Sequence, residues 1–295
     1  MSAEIQAAHV YLGDEESRDI ELPQGLVCVR SRRSPDKETP NEDAAAVIPI
    51  GDSALVVAVA DGVGGAPGGR EASKTAVETL LAALTREALE PERLRHAILD
   101  AVEAANKAIL EMGRGAATTI VIAEIVANRL RSYHVGDSEL ISVGQRGRVK
   151  QRIIPHSPTG FAVEAGLMDQ DEAVQHDQRH VLFNVIGAPD MRVDMGTAVK
   201  IAMRDTVLLA SDGLLDNLFA DEIIEIMRMG PLNEAADRLM AAAGTRMITE
   251  DGTSPSKPDD LTVILYRSAE AKTAGRRPRR REACGGDDTP AANPS

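Results

Sequence analysis

The sequence ALVVAVADG, residues 54–62, places Asp61 and Gly62 directly after seven apolar residues. A short apolar run that ends on turn residues is typical of a buried β-strand. An aspartate in this position lies at an edge of the sheet, where it serves either as an ordinary turn residue or as a ligand. The segment therefore predicts a buried strand that delivers one carboxylate to the end of the core.

Acidic residues adjoin apolar strands at four more places in the chain. These are Asn41-Glu42-Asp43, Val135-Gly136-Asp137-Ser138, Leu209-Ala210-Ser211-Asp212 and Asp259-Asp260-Leu261. Each alone reads best as a turn or a cap, but carboxylates from several strand ends can meet only if a cation offsets their repulsion. Because no cluster of cysteine or histidine accompanies them, the oxygen ligands favour Mg²⁺ or Mn²⁺ over Zn²⁺.

The remaining periodicity predicts an α+β fold. Strands are predicted at 25–30, 44–50, 54–60, 118–126, 130–135, 140–143, 199–203, 206–210 and 261–266, and helices at 71–89, at 91–112 and after Asp221 and Asn233 as N-caps. The short connections at 127–129 and 144–147 favour antiparallel pairing. Helices that cover antiparallel sheets are the expected architecture.

Length and composition predict one domain with two tails. The chain has 295 residues, of which 43% are hydrophobic but only 2% aromatic, so aliphatic side chains must build the core. Residues 1–22 are expected to form a polar, poorly anchored leader and residues 23–268 the domain. Residues 269–295 are charged, contain glycine and proline, and are expected to form a disordered tail.

Charge and cysteine content exclude several classes of protein. A net charge of -13 argues against a nucleic-acid partner, and Cys28 and Cys284 are too few for a disulfide framework. The N-terminus has no signal-peptide pattern, and no apolar run reaches the length of a membrane span. The sequence therefore predicts a cytoplasmic protein without a membrane partner.

Two other motifs offer rival interpretations of the functional site. His176 and His180 are four residues apart, as in helical zinc sites, but a third ligand is missing and solvated surface histidines are the better interpretation. The glycine-rich segment 61–69 lacks the Gly-Lys-Ser/Thr ending of a nucleotide-binding P-loop. The arginine-rich run 276–281 is assigned no role.

Taken in order, the acidic segments resemble the signature segments of the PPM, or 2C-type, protein phosphatases. The matching segments are Asn41-Glu42-Asp43, Ala60-Asp61-Gly62-Val63-Gly64-Gly65, Ala117-Thr118-Thr119, Val135-Gly136-Asp137-Ser138, Ala210-Ser211-Asp212-Gly213 and Asp259-Asp260-Leu261-Thr262-Val263. The resemblance spans residues 25–266, and it is the ordered set rather than any one segment that is specific.

The resemblance implies two antiparallel sheets sandwiched between helical layers, with two Mn²⁺ or Mg²⁺ ions in a cleft at one end. The residues it marks as metal ligands are Asp43, Asp61, Gly62 through its carbonyl, Asp212 and Asp259, with Asp137 available to a third, looser cation. Asp61 and Asp212 would be the residues on which catalysis depends most. Glu42, Thr119 and Ser138 would support the site.

Four positions depart from the family pattern. Val63 replaces the histidine that many members use as a proton donor to the leaving group, so that role is unassigned. Glu139 and Asp260 stand where many members have arginine and asparagine. The position of the arginine that binds substrate phosphate in the family aligns near Glu38, so its role would fall to one of the upstream residues, of which Arg33 is chosen over Arg30, Arg32 and Lys37. Residues 156–167 occupy the place of the family's variable flap, although an ordinary loop with a short helix explains them equally well.

The function implied is hydrolysis of phosphoserine and phosphothreonine on proteins by a hydroxide shared between two divalent cations. Its substrates would be phosphoproteins made by a serine/threonine kinase, and the chain would act as a monomer. The alternative is an inactive binding module that keeps the fold. The presence of every aspartate of the implied inner shell argues against that alternative.

Overall fold

The computed structural model describes residues 8–64, 68–85, 90–249 and 254–268. Within them the strands are β1 His9–Tyr11, β2 Glu15–Leu22, β3 Gly25–Arg32, β4 Asp43–Ile50, β5 Ala54–Asp61, β6 Ile120–Val126, β7 Arg129–Val135, β8 Glu139–Val143, β9 Val149–Arg152, β10 Asp194–Met195, β11 Val199–Lys200, β12 Thr206–Ala210 and β13 Leu261–Ser268. The helices are α1 Gly69–Leu84, α2 Leu94–Met112 after a 3₁₀ turn at Pro91–Arg93, α3 Pro158–Glu164, α4 Gln170–Gln175, α5 Asp212–Leu215, α6 Ala220–Arg228 and α7 Leu232–Met247.

These strands form two antiparallel sheets, as predicted. The first has the order β1-β4-β5-β6-β7-β10, with β11 also paired to β7. The second has the order β2-β3-β13-β12-β8-β9. The β6–β7 connection is a tight hairpin in which Ala127 and Asn128 both have positive φ, the conformation that matches the twist of the flanking strands. The predicted α+β sandwich is confirmed.

Three apolar clusters give the molecule four layers. Helices α1 and α2 pack on the outer face of the first sheet, and α5, α6 and α7 pack on the second. Between the sheets lies a layer of aliphatic residues that includes Val57 and Val59 from β5 and Leu209 from β12. Because alternate residues of one strand face opposite ways, each central strand contributes to two of these clusters. No helix among the described residues is both long and apolar enough to cross a membrane.

The structure differs from the expectation for residues 1–22. Strand β1 pairs with β4, and β2 pairs with β3 over its whole length, from Glu15 opposite Arg32 to Leu22 opposite Gly25. Most side chains of β2 are exposed. Backbone hydrogen bonds to β3, rather than buried side chains, hold this edge strand. Its polar sequence therefore shows no apolar pattern from which a strand could be predicted. Residues 1–7 and the predicted tail 269–295 lie outside the described residues.

Other differences concern the ends of elements. Strand β11 stops at Lys200 instead of continuing to 203, because Ala202 and Asp205 form a turn in which the Asp205 carboxylate accepts from the Ala202 N–H at 2.6 Å. The predicted N-caps Asp221 and Asn233 lie inside the first turns of α6 and α7, whose N-caps are Phe219 and Pro231. Strands β9 and β10 were not predicted, since both are short and polar.

Candidate metal centre

Asp43 and Asp61 lie directly opposite each other on the adjacent strands β4 and β5. Like charges in this arrangement repel and destabilise a sheet unless something neutralises them. Asp43 is buried, and its Oδ2 accepts a hydrogen bond from Ser211 Oγ at 2.8 Å. Its Oδ1 is buried without a hydrogen-bond partner. A buried, unpartnered carboxylate oxygen requires a further positively charged group.

The second sheet brings Asp212 and Asp259 to the same end of the sandwich. Asp212 begins α5 just after β12, and Asp259 comes just before β13, the antiparallel neighbour of β12. Ser211 joins the two sheets, because its hydroxyl donates to Asp43 and accepts from the backbone N–H of Thr262 at 3.0 Å. The four aspartates therefore meet where central strands of both sheets end.

The glycine that follows each key aspartate allows this close approach. A Cβ at Gly62 would overlap the backbone of Gly69, and a Cβ at Gly213 would overlap the carbonyl oxygen of Asp260. Neither glycine has positive φ, so neither is needed for a turn. They bring the start of α1 against β5 and the start of α5 against the residues before β13.

Burial and the mutual repulsion of the carboxylates raise their pKa values. Burial, followed by the charges of Asp43, Asp212, Asp259 and Asp137, raises the pKa of Asp61 well above its ordinary value. Burial is also the main cause that raises the pKa of Asp43 to about 8. Burial and then the charge of Asp212 raise the pKa of Asp137 and of Asp259. Groups with such values are typical of functional sites.

A hard divalent cation fits this set of donors. The aspartates present oxygen atoms only, Asp43 is buried and the others are half-buried, and the unpartnered Oδ1 of Asp43 is a donor atom that a cation can use. A bound cation would reverse the upward pKa shifts by favouring the ionised carboxylates. The residues that would hold it are Asp43, Asp61, Asp212 and Asp259, with Asp137 electrostatically coupled to Asp61.

Thr119 and Ser138 brace the aspartates from behind. Thr119 Oγ1 accepts from the Asp61 backbone N–H at 3.1 Å and lies 2.7 Å from Ser138 Oγ, next to Asp137. The Asp61 backbone carbonyl in turn accepts from the Thr119 N–H and the Thr118 hydroxyl. These contacts fix the end of β5 relative to the turn that carries Asp137, which is what a supporting role requires.

Glu42 belongs to a second charged group beside the aspartates. Lys37 Nζ donates to Glu42 Oε2 at 2.5 Å and to Asp260 Oδ2 at 2.7 Å. Asp260 also accepts from the backbone N–H groups of Ser34 and Glu42, each at 2.8 Å. The aspartate that replaces asparagine at 260 thus ties the segment 34–42 to β13, and Lys37 balances its charge. The other departure, Glu139, pairs with Arg152 on the neighbouring strand β9.

No contact among the described residues joins Arg33 to the aspartates of the candidate metal centre. Its guanidinium lies 3.8 Å from Asp14 Oδ2, and both side chains are more than two-fifths exposed. An exposed pair at this distance contributes little energy, so the side chain can reorient at small cost.

Three residues beside the aspartates were not predicted from the sequence: Asp216, Asn217 and Lys257. Lys257 Nζ contacts the carboxylates of Asp212, Asp216 and Asp259, and the Asn217 side chain anchors the Lys257 backbone. Burial lowers the pKa of Lys257, but the three carboxylates outweigh burial and raise it. The available signal was Lys257 itself, a cation two residues before a predicted ligand.

A cleft of about 230 Å³ opens beside Asp137 and Asp212. Its other wall is formed by α3, which lies within the predicted flap 156–167, and by α4, which follows that segment. The lining combines apolar side chains, such as Val163 and Leu215, with the charged side chains of Glu139 and Arg152. His176 and His180 come after α4 has ended, so they do not share a helix face as the zinc-site alternative required.

His134, His156 and Asp194 form a second group with metal-ligand chemistry. His156 Nδ1 accepts from the Gly136 N–H at 3.1 Å and from the Asn184 amide at 2.9 Å. Its proton therefore resides on Nε2, 3.2 Å from Asp194 Oδ2, and a protonated nitrogen cannot bind a metal. Burial lowers the pKa of both histidines, in keeping with neutral rings. This network holds Gly136, next to Asp137, against the flap.

The chain matches the family model described as protein phosphatase 2C over residues 31–246. Among curated proteins it is 29% identical over 235 residues to a serine/threonine phosphatase, stp, of Listeria welshimeri, an alignment that covers 76% of this chain and 89% of that protein.

Solved structures show the same fold. The Mycobacterium tuberculosis serine/threonine phosphatase PstP/Ppp is 27% identical and superposes with a TM-score of 0.67, covering 83% of this chain and 98% of that one. A catalytic domain of the serine/threonine protein phosphatase PstP in complex with two manganese ions is 24% identical, with a TM-score of 0.63, and covers 83% of this chain and 98% of that one.

Proposed function

Because this chain belongs to the protein phosphatase 2C family, we propose that it hydrolyses phosphoserine and phosphothreonine esters on proteins in a metal-dependent reaction. The related proteins that support this proposal are serine/threonine phosphatases, and they align over most of the chain.

One observation carries the proposal. Asp61 is surrounded by the charges of Asp43, Asp137, Asp212 and Asp259, although these residues are spread over more than 200 positions of the sequence. Burying several carboxylates together is costly unless cations offset the charge. The arrangement is therefore best explained as a binding site for divalent cations.

The chemistry that such cations supply is activation of a water molecule near neutral pH and stabilisation of the phosphoryl oxygens. The protein itself holds the carboxylates in place. Ser211 holds Asp43 against the second sheet, and Thr119 with Ser138 holds Asp61 and the turn at Asp137. With carboxylates fixed in this way, the site needs little reorganisation during the reaction.

We assign the metals as two Mn²⁺ or Mg²⁺ ions, with Asp137 available to a third. Asp43, Asp61, Asp212, Asp259 and the Gly62 carbonyl are the proposed ligands. The all-oxygen donors suit either ion, and the related PstP catalytic domain binds two manganese ions. Glu42, Thr119 and Ser138 are proposed as supporting residues.

Substrate contacts are proposed for Arg33 and the flap. Arg33 would leave its weak pair with Asp14 to bind the phosphate group. Helices α3 and α4 would shape the choice of substrate, since they line the cleft beside Asp137 and Asp212. A substrate made by a serine/threonine kinase, a monomeric state and a cytoplasmic location stay predictions from the sequence.

The test is hydrolysis of a phosphothreonine peptide by the full chain after removal of metals with EDTA. We expect no turnover until Mn²⁺ or Mg²⁺ is added. The Asp212→Asn variant should fold, as judged by circular dichroism, and stay inactive with either ion. Metal-independent turnover, or near-normal turnover of Asp212→Asn, would contradict the proposed mechanism. A folded wild-type protein that never turns over would favour the inactive binding module.

A further inference from the structure

The ammonium group of Lys257 lies among the carboxylates that are proposed to bind metal. Its Nζ is 2.6 Å from Asp212 Oδ2, 2.9 Å from Asp216 Oδ2 and 3.0 Å from Asp259 Oδ2. Two of these three partners are proposed metal ligands. No other described lysine or arginine makes an ion pair with either of those two aspartates.

The backbone of Lys257 is fixed to the turn that carries Asp212. The amide of Asn217, which is fully buried, accepts from the Lys257 N–H and donates to the Lys257 carbonyl, both at 2.8 Å, and also donates to the Gly213 carbonyl at 2.9 Å. Pro258 restricts the backbone conformation of Lys257, the residue before it. The ammonium group can therefore leave only by rotation of its own side chain, which is about one-quarter exposed.

The contacts of Lys257 use oxygens that a divalent cation would need. Asp259 Oδ1 already accepts from the Asp260 N–H at 2.9 Å, and its Oδ2 accepts from Lys257. A cation on these oxygens would face a positive charge a few ångströms away, in a place where burial limits screening. Ammonium and metal ion are therefore in competition.

We propose that Lys257 is an internal counterion that competes with a divalent cation for Asp212 and Asp259, so that metal binding there exchanges the ammonium group for the metal. This inference rests on the proposed metal ligands. Asp216, which contacts Lys257 but is not a proposed ligand, provides a carboxylate to which the displaced ammonium group stays paired.

The exchange predicts opposite effects of Lys257 on the metal-free and the metal-bound protein. Without metal, Lys257 is the cationic partner of Asp212 and Asp259, whereas Asp216 also pairs with Arg179 at 3.6 Å. Removal of the ammonium group therefore leaves Asp212 and Asp259 without a counter-charge and destabilises the fold. With metal, its removal eliminates the repulsion. A residue with a purely structural role would change both states in the same direction.

The test measures Mn²⁺ binding by isothermal titration calorimetry to the metal-free full chain and to Lys257→Gln. We expect Lys257→Gln to bind Mn²⁺ with a Kd lower by about tenfold or more, or to bind one more equivalent. Its melting temperature should fall in EDTA, and its rise on addition of Mn²⁺ should exceed that of the wild type. If Lys257→Gln does not fold, Lys257→Met is measured instead, because the unbranched methionine side chain is similar in length to that of lysine.

Lys150→Gln is the matched control. Lys150 pairs with Asp205, at the opposite end of β12 from Asp212, so this variant should change neither the Kd nor the number of bound ions. Equal Kd and stoichiometry in the wild type and Lys257→Gln would overturn the role of Lys257 and leave the proposed function intact. A wild type that binds no Mn²⁺ would overturn the metal centre itself.

Discussion

The apolar layer between the sheets and the acidic end of the sandwich are built from the same strands. In β12, Leu209 is fully buried between the sheets, and three residues later Asp212 lies in the acidic group. In β5, Val59 faces the same layer, and Asp61 follows two residues on. One region gains stability from every buried side chain, whereas the other buries charges that repel.

The comparison shows where the fold spends the stability that its core provides. Burial of an aliphatic side chain is favourable by about 1.5–3 kcal/mol, while a buried carboxylate without a partner is unfavourable. The raised pKa values of Asp43, Asp61, Asp137 and Asp259 are the signature of that cost. The acidic end can persist because rigid, fully paired strands hold it.

The largest effect is expected from a substitution at the acidic end, which should abolish turnover without weakening the core. Asp61→Asn should reduce turnover of a phosphothreonine peptide by about 1,000-fold or more, because it removes a ligand central to the proposed site. The same change should raise the melting temperature in EDTA, since it removes a charge from a repelling cluster. Steady-state kinetics and thermal melts check both effects. A loss of stability in EDTA would show that the carboxylates are not in conflict.

Leu209→Ala should show the opposite behaviour. It removes a fully buried side chain between the sheets and should lower the free energy of unfolding by about 2–5 kcal/mol. Turnover at a temperature well below its melting point should stay within a few-fold of the wild type. Urea denaturation with parallel kinetics measures both. A large loss of turnover in the folded variant would mean that the two regions are not separable.

Gly213→Ala tests the contact that joins the regions. The added methyl group would overlap the Asp260 carbonyl, so we expect a loss of about 1–3 kcal/mol and weaker Mn²⁺ binding. Gly64→Ala is the control, because no atom of the described residues lies within 4 Å of its added Cβ and its φ is not positive. Equal behaviour of the two variants in urea denaturation and calorimetry would contradict the close-approach explanation.

The smallest expected effect is a pH dependence of the metal-free protein. Burial raises the pKa of Asp43 from its ordinary value of 3.8 to about 8 in the folded state, so between these pH values the folded state binds a proton that the unfolded state has lost. The contribution of Asp43 to stability is then present at low pH and lost as the pH rises towards 8. Thermal melts in EDTA from pH 5 to 8.5 should show the decline, and Asp43→Asn should make it less steep, while the raised pKa values of Asp61, Asp137 and Asp259 sustain the remainder. Saturating Mn²⁺ should remove the slope in the wild type; an unchanged slope would count against Asp43 as a ligand.

Much of the fold was predictable because apolar patterning determines it. Most of the central strands are rich in apolar residues, and the positions of these strands were predicted within two residues: β3, β4, β5, β6, β7, β8, β12 and β13. Strand β2 was missed, because its exposed side chains carry no pattern and its stability comes from the ladder to β3. The position of Asp43, Asp61, Asp212 and Asp259 at strand ends was equally visible.

The sequence alone determined the central strands, their antiparallel class and the residue types at their ends, because these depend on the local pattern of apolar and polar residues. Tertiary structure decided which charges meet. The pairing of Lys257 with Asp212, the link from Ser211 to Asp43 and the overlap that only glycine avoids at 213 all depend on which strands pair and on how the two sheets pack. Local sequence does not encode the distance between residues that are 40 to 170 positions apart, so only the packed fold could assign these contacts.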